Sequence, residues 1–174
     1  MWPQLSREQR ERRSNKMEAL ATQKLRIRKF EPQDLTAISE IEQLSFKDPF
    51  PSYFLSQLAE ANPDTFLVAV RTERIVGYAV IDRWPDQEHL VSIAVIPESR
   101  KNGVGQALLD QLIREMQTGS LKLEVRRSNK SALELYRKNG FVQTGVAYSY
   151  YTDGEDAIQM EKTIQMKPEI LATA

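Results

Sequence analysis

The sequence predicts an α/β fold, a mixed central sheet of about seven strands with helices on both faces. Three observations lead there. Segments with an apolar residue at every second position are interleaved with segments whose apolar residues recur at helical spacing. Their order reads β-α-α-β-β-β-α-β-α-β-β, which fits neither an all-α nor an all-β chain. One apolar run, His89–Ile96, leads through the basic turn Arg100-Lys101-Asn102-Gly103-Val104-Gly105 straight into a helical pattern. The 174 residues suffice for one well-buried core and are too few for two ordinary domains. The ordered domain is expected over residues 25–164, with a basic extension at 1–24 and a tail at 165–174.

The first strand is Leu25-Arg26-Ile27-Arg28-Lys29-Phe30, alternating as a half-buried strand does. Glu31-Pro32-Gln33-Asp34 then starts a helix with proline in its first turn, continued by Leu35, Ile38, Ile41 and Leu44. Asp48-Pro49-Phe50-Pro51 must end it, because neither proline can continue a helix. A shorter helix follows through Tyr53, Leu55, Leu58 and Ala59 and stops at Asn62-Pro63-Asp64. Thr65–Val70 and Ile75–Ile81 read as strands joined by the short connection Arg71-Thr72-Glu73-Arg74. Glu88–Ile96 is apolar enough for a central strand buried on both faces. After the glycine turn the helix runs through Val104, Leu108, Leu109, Leu112, Ile113 and Met116. Leu121, Leu123 and Val125 alternate with charged residues as a further strand. Ser128-Asn129 caps a helix over Lys130–Lys138, and Asn139-Gly140 ends it in a left-handed turn. Phe141–Tyr151 and Ala157–Thr163 close the domain as strands flanking Thr152-Asp153-Gly154-Glu155-Asp156.

Composition excludes several kinds of chemistry. With no cysteine there is no disulfide, no thiol nucleophile and no Cys-ligated zinc. With His89 as the single histidine, a His-rich metal site is excluded too, and no metal is expected. No apolar run is long enough to span a bilayer, so no membrane partner is expected. The opening Met-Trp-Pro-Gln-Leu-Ser lacks the layout of a secretory signal, which makes the cytoplasm the expected location. The formal net charge is zero but unevenly placed: residues 1–29 hold nine Lys/Arg against three Asp/Glu. Such an arm could touch RNA or an acidic surface. Its interleaved acids and the Ser6-x-x-Gln9 capping box fit a solvated helix or loose tail as well, so nucleic-acid binding is not expected.

The turn Arg100–Gly105 carries the first functional signal. A strand that ends in a basic, glycine-containing loop and opens a helix leaves unpaired N–H groups at the positive end of the helix dipole, an arrangement suited to phosphate or pyrophosphate. Taken alone, it is also an ordinary turn. The loop, the preceding Ser92-Ile93-Ala94-Val95 and the later Asn129, Ala132, Leu135-Tyr136 and Gly140-Phe141 together resemble the GNAT superfamily of acetyl-CoA-dependent N-acetyltransferases. The likeness covers about Leu25 to Thr163. Leu123-Glu124-Val125-Arg126, Ser128-Asn129 and Tyr150-Tyr151-Thr152-Asp153-Gly154-Glu155-Asp156-Ala157 are similar to its ribosomal-protein-alanine and archaeal N-terminal acetyltransferase branch, which acts on peptide α-amines.

The resemblance implies a set of roles. Acetyl-CoA would run as a mock strand along Ile93, Ala94 and Val95, residues that composition alone assigns to the core, with an N–H near Val95 meeting the thioester oxygen. Lys101, Asn102, Gly103, Val104, Gly105 and Gln106 would take the pyrophosphate, with Arg100 at the leading edge. Asn129, which also suits a helix cap, matches the family's CoA-contacting asparagine. Glu124 would be the general base, though a strand carboxylate is more often a solvated charge. Tyr136 would protonate the leaving thiolate, though it reads equally as a core aromatic. With ordinary values of about 8.5 for the thiol and 10 for the phenol, that transfer is uphill by roughly 2 kcal/mol.

For the acceptor, Phe50 and Tyr53 on one loop and Tyr150 and Tyr151 on another would grip a peptide N-terminus, with Asp48 attracting its ammonium. Phe50 and Tyr53 also read as packing residues. Ser149 departs from the branch, where asparagine commonly precedes the paired tyrosines. The expected function is therefore protein N-α-acetylation, with a ribosomal protein, the ribosome or an auxiliary subunit as candidate partners. Two alternatives stand beside it: acetylation of a small amine or a lysine side chain, and a ribosome- or RNA-binding module without catalysis.

Overall fold

The computed structural model describes Ser6, Glu8 and residues 24–165. The expectations for the rest of the extension and tail lie outside the described residues. Seven strands form one sheet in the order β1-β2-β3-β4-β5-β7-β6, made of β1 (Arg26–Lys29), β2 (Phe66–Arg71), β3 (Arg74–Arg83), β4 (Glu88–Val95), β5 (Ser120–Arg126), β6 (Val142–Ala147) and β7 (Ala157–Thr163). Four helices join them: α1 (Leu35–Ser45), α2 (Ser52–Ala61), α3 (Val104–Arg114) and α4 (Lys130–Lys138). A short 3-10 turn, Pro32–Asp34, leads into α1, and another, Pro97–Ser99, follows β4. No helix among the described residues is long and apolar enough to cross a membrane.

Helices cover both faces, and β3 shows why. A side chain at Gly77 would meet Val104 of α3, whereas Tyr78, the next residue, interacts with Glu42 of α1. Successive strand residues point to opposite faces, so α1 and α3 lie on opposite sides of the sheet. The core fills both layers: Ile38, Ile41 and Leu55 from the α1–α2 side, Leu108, Leu109 and Leu112 from α3, and all of β2 between them.

Three sequence expectations are corrected. Strand β4 is not buried on both faces; its residues alternate between buried and half-buried. The strand expected over Phe141–Tyr151 stops at Ala147, and the chain turns at Ser149, which has a left-handed φ of 49°. The β2–β3 connection is tighter than expected, with only Thr72 and Glu73 between the strands, both at positive φ.

Candidate active site

The site begins where the sheet opens. Strands β4 and β5 are parallel but paired only at Glu88–Leu121 and His89–Lys122, and they diverge beyond that. The β4 edge from Leu90 to Val95 thus has a partner on the β3 side only. Ile96 donates its N–H to Val76 of β3, so alternation turns the backbone groups of Ile93 and Val95 toward the open edge. Their side chains pack against the core, as does buried Ala94, which is the core reading of Ile93–Val95. Opposite β3, β4 carries one extra residue at Val91, between the pairs Val80–Ser92 and Ile81–Leu90.

The glycine loop completes this cleft. Lys101 and Gly103 take left-handed φ values of 59° and 76°, and Gly103 is the N-cap of α3 without a side-chain cap. Ala107 makes the first intrahelical bond, to the Gly103 carbonyl, so the N–H groups of Val104, Gly105 and Gln106 have no partner within the helix. Other predicted ligands are occupied. Arg100 donates from Nε to the Val95 carbonyl at 2.9 Å and from Nη2 to Ser45 Oγ at 3.3 Å, pinning the loop to β4 and α1. Gln106 Nε2 bonds Asp110 and Asn139, each at 2.7 Å, and joins α3 to α4. Asn129 Oδ1 accepts from Ala132 N at 3.1 Å and caps α4. Sequence reasoning missed Arg71, buried behind the loop and donating to the Asn102 carbonyl at 3.5 Å.

At the fork of the cleft stands a pair that sequence reasoning also missed. Glu124 Oε2 lies 2.6 Å from His89 Nε2. The hydrogen bond from His89 holds the Glu124 carboxyl below the ordinary range against the opposing pull of burial. The ring of His89 stacks on Trp84, whose indole N–H donates to Asp82 at 2.9 Å. The signal was the parallel register: once His89 pairs with Lys122, Glu124 falls on the same face one pleat on.

Tyr136 is buried on α4 with its ring 5.5 Å from Phe141, and burial, assisted by Tyr151, pushes its phenol well above the ordinary value. Tyr150 and Tyr151 meet edge to face at 5.1 Å. Burial raises both, Tyr151 to about 12, and the Glu124 charge contributes to each shift, which puts the pair within electrostatic reach of that carboxylate.

The other loop expected to meet the acceptor is less uniform. Phe50 is half-buried against Phe54, and its N–H donates to Glu42 Oε1 at 3.2 Å, while Tyr53 is 69% exposed on the first turn of α2. Asp48 has both oxygens engaged, one by Arg126 at 2.7 Å and one by Thr152 at 2.6 Å. Its structural position is a bridge between loops.

Comparison with known proteins agrees with this fold. The pattern of the acetyltransferase (GNAT) family matches residues 35–141. An N-alpha-acetyltransferase of Sulfurisphaera tokodaii is 33% identical over 159 residues, 82% of this chain and 95% of the relative. The [ribosomal protein bS18]-alanine N-acetyltransferase of Escherichia coli is 34% identical over 148 residues, 80% of this chain and 98% of the relative. Among solved structures, Ard1 from Thermoplasma volcanium superposes with a TM-score of 0.78 at 30% identity, covering 82% of this chain and 99% of its own.

Proposed function

This chain belongs to the acetyltransferase (GNAT) family, and from that premise we propose that it is a protein N-α-acetyltransferase. It moves an acetyl group from acetyl-CoA to the N-terminal amine of a protein or peptide. The observation that carries this reading is the Glu124–His89 pair at the fork of the cleft, within electrostatic reach of Tyr150 and Tyr151. The names of the relatives support a protein α-amine as acceptor, with a ribosomal protein as the first candidate.

The cleft suits a CoA thioester. It offers an extended edge with the backbone of Ile93 and the N–H of Val95 turned to the open side, and a helix N-terminus preceded by two left-handed residues. Ile93–Val95 and the N–H groups from Lys101 to Gln106 would hold acetyl-CoA, and once bound it supplies an acetyl group activated as a thioester. The Val95 N–H is the edge donor available to the thioester oxygen.

An α-amine with a pKa near 8 is only about one-tenth neutral near pH 7, and the nucleophile must be neutral. Glu124 is ionised and attracts the ammonium, and the hydrogen bond from His89 Nε2 orients its carboxylate. Tyr136 remains a neutral phenol, since burial disfavours its charged form. Full proton transfer from it to the thiolate is therefore more uphill than ordinary values suggest, and its contribution is a donated hydrogen bond. With no cysteine in the chain, transfer is direct and needs no acetyl-cysteine intermediate.

Thiol release from acetyl-CoA tests the proposal, using peptides varied at their first two positions, the same peptides blocked at the N-terminus but carrying lysine, and a polyamine. Release that requires a free peptide α-amine is expected. Equal release with blocked peptides or with the polyamine would move the acceptor to another amine class.

A further inference from the structure

We propose that Arg126 is the positioning residue that assembles the acceptor groove, tying both acceptor loops to the strand that carries Glu124. The proposal rests on the reading of the site as a peptide acetyltransferase. Arg126 ends β5, two residues beyond Glu124 and therefore on the same face of the sheet. Its side chain is only 14% exposed. Nη2 donates to Asp48 Oδ2 at 2.7 Å, on the loop between α1 and α2. Nη1 donates to Asp153 Oδ1 at 2.9 Å and to Glu155 Oε2 at 2.8 Å, both on the loop between β6 and β7. The guanidinium carbon sits 3.9 Å from the centre of the Tyr151 ring. Thr152 closes the circuit by donating to Asp48 Oδ1 at 2.6 Å, and Lys47 approaches Asp153 at 3.3 Å.

An isolated, exposed ion pair would carry little weight. Here one planar fork serves three carboxylates and an aromatic face, drawing in segments 78 and 27 residues away in sequence. Its removal leaves Asp48, Asp153 and Glu155 gathered with Lys47 as their one remaining ion-pair partner among the described residues, and Tyr151 loses the cation over its ring. The loops should part and the paired tyrosines lose their setting. Glu124 keeps His89, and the β4 edge and glycine loop are built from other contacts. Arg126 thus acts on peptide capture. Lysine cannot replace it, because an ammonium neither forks between loops nor stacks flat on a ring.

The test is steady-state kinetics of the full chain with a peptide acceptor, alongside acetyl-CoA affinity by calorimetry and the thermal midpoint. Arg126→Met should raise peptide KM about tenfold or more, change kcat by less than about threefold, and leave acetyl-CoA Kd within about twofold. Arg126→Lys should recover less than half of the loss. Asp48→Asn should raise peptide KM in the wild-type background and add nothing in the Arg126→Met background, since the two residues act as one unit. If Arg126→Met does not fold, Arg126→Lys and Asp48→Asn carry the same KM comparison. An unchanged peptide KM, an additive cycle, or a parallel fall in acetyl-CoA affinity and thermal midpoint would overturn the proposal. A wild-type chain that acetylates no peptide overturns the functional reading and this proposal with it; an active wild type indifferent to Arg126 overturns this proposal alone.

Discussion

In the proposed reaction Glu124 acts on the acceptor amine with His89 held against it. A carboxylate held below its ordinary pKa by a hydrogen bond from His89 is a weak base but a strong electrostatic partner for an ammonium. Because Glu124 is lowered, it is ionised throughout the neutral range, and its own titration adds no pH dependence there. Glu124→Gln keeps the size of the side chain and removes the proton acceptor. We predict a drop in kcat of about 10²-fold near pH 7 that shrinks toward pH 9, where the amine is largely neutral without help. Tyr136→Phe should cost about as much, with no recovery at high pH, because the buried phenol stays protonated across the whole range and the loss is of its hydrogen bond. Both are read from kcat at saturating acetyl-CoA from pH 6 to 9. Near-full activity of both variants across that range would remove these residues from the chemistry. Glu124 and Tyr136 were legible through the family resemblance. His89 was legible only as the single histidine, because its pairing with Glu124 depends on a register between strands more than thirty residues apart.

At the scale of elements, periodicity located nearly every helix and strand, and the departures have local causes. The aromatic run at Tyr148, Tyr150 and Tyr151 continues a strand-like pattern past the end of β6, but Ser149 at φ 49° turns the chain out of the sheet. Asparagine tolerates that conformation better than serine, which gives a physical reason for the residue found there in the related branch. The β2–β3 turn poses the same problem twice. Thr72 at φ 50° and Glu73 at φ 58° form a two-residue turn of the type that Asn-Gly fits best, and threonine is β-branched. Left-handed backbone costs an ordinary residue about 1–2 kcal/mol, and glycine's extra freedom in the unfolded chain returns part of any gain. The Arg26–Glu73 pair, at 4.0 Å and well exposed, contributes little. Thr72→Asn with Glu73→Gly should therefore stabilise by about 1 kcal/mol and raise the thermal midpoint by roughly 2–4 °C. A lower midpoint in the double variant would show that the turn is not strained.

Over the whole molecule, the order β1-β2-β3-β4-β5-β7-β6 puts the last strand between two earlier ones, and no local pattern announces that insertion. The Arg126 hub was invisible for a related reason: its partners come from loops that only the finished sheet brings together. Charge contacts between elements also set the fold's response to acid. Strand β1 lies at the sheet edge and is tied to the start of the helical layer by Arg28, which donates to the two oxygens of Asp34 at 2.6 and 2.8 Å. Asp34 is 3% exposed and also accepts from the Glu31 N–H at 2.8 Å. Burial alone would raise its pKa, but the hydrogen bonds from Arg28 and Glu31 overcome that and hold it below the ordinary value. A carboxyl whose folded pKa lies below its unfolded value stabilises the protein fully above the unfolded value, about 4, and loses that contribution as pH falls through the folded value. Asp34→Asn keeps the shape but removes the charge, and it should cost about 1–3 kcal/mol at neutral pH, the range for hydrogen bonds to charged groups. The difference in thermal midpoint between wild type and Asp34→Asn should be constant from pH 8 to about 5, narrow below about 4 and close once wild-type Asp34 is protonated. Equal thermal midpoints of wild type and Asp34→Asn at pH 7 would show that the Arg28–Asp34 pair contributes through shape alone and that the sheet edge is held by its apolar contacts.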